Sequence, residues 1–325
     1  MDWGAILTNT LAFMMSAETI AFALAAIGLS IHFGYAGLLN FGMAGFMAIG
    51  AYGYAISILS FGFPWWAAMM VSVLGAVVFA LVLGIPTLRL RADYLAIVTI
   101  AAAEIVRLLF TTQAFDDYTN SADGLGNYHA SFRAANPLPP GDYGFGPWQY
   151  NHEQWWVRIF GFLLVALAVL ITWLLMRSPW GRVIKGIRED EDAVRALGKN
   201  VFLYKMQALV VGGIFGALGG VVLSLPSAVV PSVYITSLTF FVWTALLLGG
   251  AATIFGPVLG AVLYWAMLAF LSGLLPALAA EGTLPISPVQ AGVLRYILVG
   301  LMLMLLVAFR PQGLLGNKKE MTFVK

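Results

Sequence analysis

RSPWGRVIKGIREDEDAVRALGKNVFLYK, residues 177–205, holds eleven of the 32 charged side chains in a chain that is 61% hydrophobic and 10% charged. It is flanked by strongly apolar runs at 156–176 and 206–225. Each run is about the twenty residues that a helix needs to cross a ~30 Å hydrocarbon core. A charged loop between two such runs is a loop between two membrane spans, and the rest of the chain repeats the pattern.

Further apolar runs lie at 5–33, 36–59, 64–88, 94–112, 237–248, 255–275 and 288–309. The first is long for one span and can divide into an interfacial stretch followed by a helix. The run at 237–248 is short for a full crossing. Together these runs predict about nine transmembrane helices, within a range of eight to ten. They show no period-two alternation, which excludes a membrane β-barrel. The fold class is therefore an all-α polytopic membrane protein, expected to form one domain over residues 1–325. The N-terminal MDWGAILTNTLAFMMSAETIAF has no basic n-region of a secretory signal and is read as the start of the first helix.

Orientation follows from Lys and Arg in the short loops. Seven basic residues lie in 177–205. Arg89 and Arg91 follow the third span, and Lys318, Lys319 and Lys325 follow Arg310. A nine-span count puts all three regions on one side, which is expected to be cytoplasmic, as is the C-terminus. The N-terminus and the loop 113–154 then lie outside. That loop carries Asp116, Asp117, Asp123, Asp142 and Glu153 against a single Arg133, and its Gly, Pro and Asn content predicts an ordered external loop.

Residues 177–205 also carry helical periodicity. Ile184, Ile187, Ala193, Leu197 and Val201 fall mostly three or four apart around a charged face, and Gly198 is placed as a C-terminal stop. This predicts a short amphipathic helix whose apolar face enters a groove in another protein. A loop that merely fixes topology would not need the four consecutive acids Glu189, Asp190, Glu191 and Asp192, because acids contribute little to that rule.

Asp192-Ala193-Val194-x-x-x-Gly198 resembles the E-A-A-x-x-x-G coupling motif of permease subunits in bacterial ABC importers, with Asp in place of the usual Glu. The surrounding GRVIKGIREDEDAVRALGKNVFLYKMQALV is similar to LivM-type branched-chain amino-acid permeases. So are GYAGLLNFGMAGFMAIGAY (34–52), LRLRADYLAIVTIAAAEIVRLL (88–109), GGAATIFGPVLGA (249–261) and FRPQGLLG (309–316). The five blocks keep the family order and span most of the chain, whereas the external 116–153 region matches nothing in it. The resemblance implies a permease of the bacterial plasma membrane that translocates branched-chain or related amino acids. It implies a sister permease, an external binding protein and two ATPase subunits as partners, with ATP held by those subunits and no cofactor on this chain. Arg188, Glu189, Asp190, Glu191, Asp192, Ala193 and Gly198 would then form the ATPase-coupling segment. Urea and short-amide importers use closely similar permeases and are the alternative cargo.

Ionisable residues inside spans are costly and usually face a bundle interior or a wet path. Glu104 and Arg107 are three apart on one helix face and either line a route for a zwitterion or pair structurally with each other. Glu18 is central if its helix starts near residue 5 and near the outer surface if it starts near residue 16. Carried by Glu18 and Glu104, coupling to an ion in a secondary transporter would be a mechanism of another class. Asn40 is a further path candidate, although it and His32 read first as packing or helix-break partners. Gly34, Gly37, Gly42, Gly45, Gly50 and Gly53 crowd one run and allow either close helix packing or a discontinuous helix.

There is no cysteine, no phosphate-binding G-x-x-x-x-G-K-[ST] and no catalytic triad. His32, His129 and His152 lack metal-site spacing. No catalytic or metal-binding residue is therefore expected. The net charge of +2 gives no reason to expect a nucleic-acid partner.

Overall fold

Backbone groups in lipid have to bond within their own segment, and the apolar runs accordingly form helices. The computed structural model describes residues 2–88, 92–282, 287–310 and 312–316. Arg89, Arg91, Lys318, Lys319 and Lys325 lie outside the described residues.

The first run divides. Helix α1, Trp3–Met14, stops at Met15, and Ser16 then caps α2, Ala17–Leu29, by accepting from the Thr19 amide at 3.2 Å. Glu18 thus sits in the first turn of α2 rather than at mid-span. Helix α2 runs on into a π-helical turn, Ser30–Tyr35, and the chain is irregular until α3, Met43–Phe61. Helices α4, Trp65–Thr87, and α5, Ala92–Thr111, follow.

The 113–154 loop is ordered. It holds the short helices α6, Asp116–Thr119, and α7, Ala130–Ala134, and a two-residue hairpin of β1, Asp142–Tyr143, and β2, Tyr150–Asn151. Buried Tyr128 donates to the Ser224 and Ser227 carbonyls at 2.6 and 2.7 Å, and Leu125 pairs with Val229. Trp148 and Tyr150 donate to the Leu11 and Ala12 carbonyls of α1 at 2.9 and 2.8 Å, tying the loop to both halves of the chain.

The remaining helices are α8, His152–Arg177, α9, Pro179–Glu189, α10, Glu191–Ala196, α11, Val201–Ser224, α12, Thr236–Gly249, α13, Gly256–Ala280, and α14, Pro288–Phe309. Among the described residues, seven helical stretches are long and apolar enough to cross a membrane: 17–35, 43–61, 65–87, 94–111, 152–177, 201–224 and 256–280. Thr236–Gly249 and Val289–Met302 are shorter apolar helices.

The core forms around α11, which packs on α2, α3 and α4. Its Gly212, Gly213, Gly216, Gly219 and Gly220 make a ridge without side chains. A Cβ on Gly220 would strike the Met47 carbonyl of α3, and one on Gly212 would strike His32 and the Gly28 carbonyl of α2. Helix backbones come this close only where side chains are absent.

The blocks at 249–261 and 309–316 meet in space. Helix α12 ends at Gly249, leaving its last carbonyls without helical partners. The Leu314 and Leu315 amides bond the Leu248 and Gly249 carbonyls at 3.1 and 3.0 Å, closing that end.

Candidate functional site

Ser178 starts α9, with its hydroxyl accepting from the Gly181 amide at 3.4 Å and Pro179 in the first turn. Gly181, Ile184 and Ile187 are buried against the chain's own bundle. At Asp190 the backbone becomes extended, and its carboxylate accepts from the Asp192 and Ala193 amides at 3.0 Å each, capping α10. Two helices therefore replace the single amphipathic helix expected from periodicity. An acid with two free amides ahead of it is a strong N-cap, and the cap breaks the helix there. Gly198 follows at φ +75, the left-handed stop that reverses the chain into α11.

The two apolar halves expected to face a partner separate. Ile184 and Ile187 face inward, whereas Leu197 on the far side of the break is 78% exposed. Glu189, Asp192, Ala193 and Gly198 are exposed with it.

Arg188 also differs from its expected place on the docking face: its side chain is 10% exposed and turns inward. Nη1 donates to the Gly34 carbonyl at 2.5 Å, and the guanidinium pairs with Glu189 at 2.5 Å. Three residues earlier on α9, the Lys185 ammonium lies 5.7 Å from the Tyr35 ring centroid. Both side chains thus grip the end of the π-helical turn. Gly37, at φ +69, leaves room for the Arg188 stem, since a Cβ there would stand 3.1 Å from Arg188 Cγ. On the other helix of the pair, Glu191 bonds Arg195 at 2.8 Å and also pairs with Lys205 of α11.

Inside the bundle, His32 on the π turn contacts the Leu209 carbonyl at 3.0 Å through Nε2. A carbonyl only accepts, so Nε2 carries the proton, and Nδ1 accepts from Asn40 Nδ2 at 3.0 Å. Asn40 Oδ1 accepts from the Gly42 amide at 2.7 Å, and Trp243 donates to the Asn40 carbonyl at 3.1 Å. Asn40 is fully buried and satisfies the backbone where the helix breaks. The early glycines divide between both sequence readings: Gly34, Gly37 and Gly42 serve the break, while Gly45 and Gly50 serve packing of α3.

Glu104 and Arg107 form a forked pair on α5, with Nε at 3.0 and 3.1 Å from the two carboxylate oxygens and Nη2 at 2.5 Å from Oε1. Glu104 is 37% and Arg107 20% exposed, on a helix whose Ile97, Ile105, Leu108 and Leu109 are also exposed. Among the described residues, no hydrogen bond or ion pair joins Glu104, Asn40 and Glu18 to one another. Glu18 borders two cavities at the α8 N-terminal end of the bundle. No group of three or more His, Asp or Glu residues is placed to hold a metal ion among the described residues.

Spanning-length apolar helices packed around a broken helical turn are those of a multi-pass membrane protein. The family described as "Branched-chain amino acid transport system / permease component" matches residues 11–307, and the chain belongs to that family, within which it is of the LivM type. The high-affinity branched-chain amino acid transport permease LivM of Escherichia coli K12 is 30% identical over 75% of this chain and 60% of its own length. This chain therefore spans 60% of that relative. A probable LivM of Methanocaldococcus jannaschii is 27% identical over 91% of both chains. A nucleoside ABC transporter permease, NupC of Lactococcus lactis, is 25% identical over 57% of this chain and 58% of its own length. These relatives are transport permease subunits and not enzymes.

Proposed function

We propose that this chain is a permease subunit of an ATP-driven importer for branched-chain or related apolar amino acids. It works with a sister permease, two ATPase subunits and an external binding protein in the bacterial plasma membrane. The whole chain forms one permease domain with nine spans, α12 and α14 completing the seven longer ones. The N-terminus and the 113–154 loop lie outside, and the 177–205 loop and the C-terminus lie in the cytoplasm. ATP is held by the ATPases, and this chain needs no cofactor.

One observation carries the reading: the α9–α10 pair is exposed on one side and tied on the other to backbone that departs from regular helix. Glu189, Asp192, Ala193, Leu197 and Gly198 present the docking surface. Arg188 acts as the latch on the π turn of α2, while Asp190 and Glu191 stiffen α10. Motion of a docked ATPase is passed through Arg188 to residues 34–42. Glu104 and Arg107 line the path, because a partly exposed ion pair on a span is better accommodated beside protein or water than in lipid. Their mutual pairing also leaves Glu104 poorly suited to carry an ion by itself.

The test is uptake into vesicles containing the complete complex, with leucine, urea and a nucleoside offered separately. ATP-dependent leucine uptake is expected. Uptake by this chain without ATPases would refute the reading, and urea or nucleoside uptake without leucine uptake would refute the cargo.

A further inference from the structure

The more apolar of the two cavities at the end where α2 begins has a volume of about 380 Å³ and is bounded by α1, α2 and α11–α14. Phe22, Leu238, Phe241 and Leu268 give it apolar walls, and Phe22 stacks on Tyr264 at 5.9 Å and meets Trp265 edge-on at 5.2 Å. Its polar groups are few: Ser272 bonds the Ala269 carbonyl at 2.7 Å, while three other polar atoms are unmatched. The Tyr264 hydroxyl, Trp265 Nε1 and Arg295 Nε are buried without a hydrogen-bond partner, and Tyr264 is fully buried. Buried donors are nearly always satisfied in folded proteins, so three around one cavity point to a missing acceptor. Arg295 adds a positive charge beside them, its guanidinium held against Tyr296 by an Nη2 bond of 3.0 Å to the hydroxyl.

Glu18 supplies the opposite charge. Among the described residues it alone lines both this cavity and the second one, of about 370 Å³, whose walls include Arg133, Asn151, Glu153, Gln154 and Arg158. Arg158 lies within electrostatic reach of Glu18 but is engaged elsewhere, over the Tyr150 ring at 3.5 Å and on the Gln154 carbonyl at 2.9 Å. The arrangement is a polar cavity in the outer-loop region, a carboxylate at the divide, then an apolar cavity with unsatisfied donors and an arginine.

We infer that this inner cavity binds a zwitterion with an apolar body, its ammonium toward Glu18 and its anionic group toward Arg295 and Trp265. A free apolar amino acid fits this chemistry, and so does an aminophospholipid headgroup. The site is separate from the Glu104–Arg107 pair on α5 and would hold substrate, or a regulating lipid, beside the path. Its ligand class follows from the cavity itself, and it stands whether or not α5 lines the route.

The test uses the full-length chain in nanodiscs, with no ATPase present, and radiolabelled leucine. Saturable binding is expected, weakened roughly tenfold by Arg295→Gln or Glu18→Gln, each of which loses a charge-assisted contact. Leu238→Trp is expected to abolish it by filling the cavity. Leucine should raise the melting temperature of the parent chain and not that of Arg295→Gln, which separates lost binding from lost folding. Native mass spectrometry forms the second arm. An aminophospholipid retained by the parent and released by Arg295→Gln keeps the site and fixes the source as lipid. Leucine binding indifferent to all three substitutions, or neither ligand bound, overturns the inference. Failed uptake with intact binding would count against the α5 route and leave this site standing.

Discussion

Arg188 joins the charged segment to the π-helical turn after α2 through a 2.5 Å bond to the Gly34 carbonyl. A hydrogen bond from a charged donor is worth about 1.5–3 kcal/mol. Arg188→Gln should keep insertion and ATPase docking while lowering ATP-driven uptake roughly tenfold. Unchanged uptake beside normal ATP hydrolysis would remove Arg188 from the transmission route. In the outer loop, burial holds the His129 imidazole below its ordinary range, and Arg133 adds to this while Glu153 opposes it. Its depressed folded pKa favours the neutral form, so stability is complete above about pH 6.5 and declines as pH falls toward the folded value. The parent should melt lower at about pH 5.5 than at pH 7.5, and His129→Gln should narrow that gap. An equal gap in both proteins would assign the pH response to another group. Glu104 with Arg107 was legible as a pair from spacing alone. The inward turn of Arg188 was not, because its partner is a carbonyl 154 positions away.

At the scale of elements, helix ends and glycine faces decide the architecture. Asp190 divides the charged segment because its side chain satisfies two amides that would otherwise be free at the start of α10. Periodicity over 177–205 carried one sign of this, the six-residue gap from Ile187 to Ala193 that straddles Asp190, but the regular spacing on either side read as a single helix. The ridge of α11 was also not singled out in the sequence, although Gly212-Gly213-x-x-Gly216-x-x-Gly219-Gly220 is visible there once three- and four-residue spacing is applied. Gly220→Ala places a methyl group on the Met47 carbonyl and should destabilise the bundle by about 1–3 kcal/mol. Gly292→Ala, with open space around it, should be close to neutral. Thermal unfolding in detergent checks both. Equal melting temperatures for the two variants would show that α11 tolerates separation from α3.

Across the whole molecule, the fold places the hairpin near residues 142–151 at one end and α9–α10 at the other. Phe145 is 72% exposed and Leu197 78% exposed. The chain has no cysteine, so Phe145→Cys and Leu197→Cys each provide a single thiol. An impermeant maleimide should label the first in intact cells and the second only after lysis. The reverse pattern would invert the proposed topology.

Chain composition alone determined that this is a polytopic helical protein. Lipid allows few alternatives to a helix for a twenty-residue apolar run, so hydropathy is nearly sufficient. Five sequence blocks likewise determined the family. The tertiary structure alone decided what the blocks do for each other: residues 34–42 meet α9, and residues 312–316 close the end of α12. It alone assembled Glu18, Tyr264, Trp265 and Arg295 around one cavity. Those contacts join residues far apart in the chain, and local periodicity encodes the face of a helix but not the neighbour it will meet.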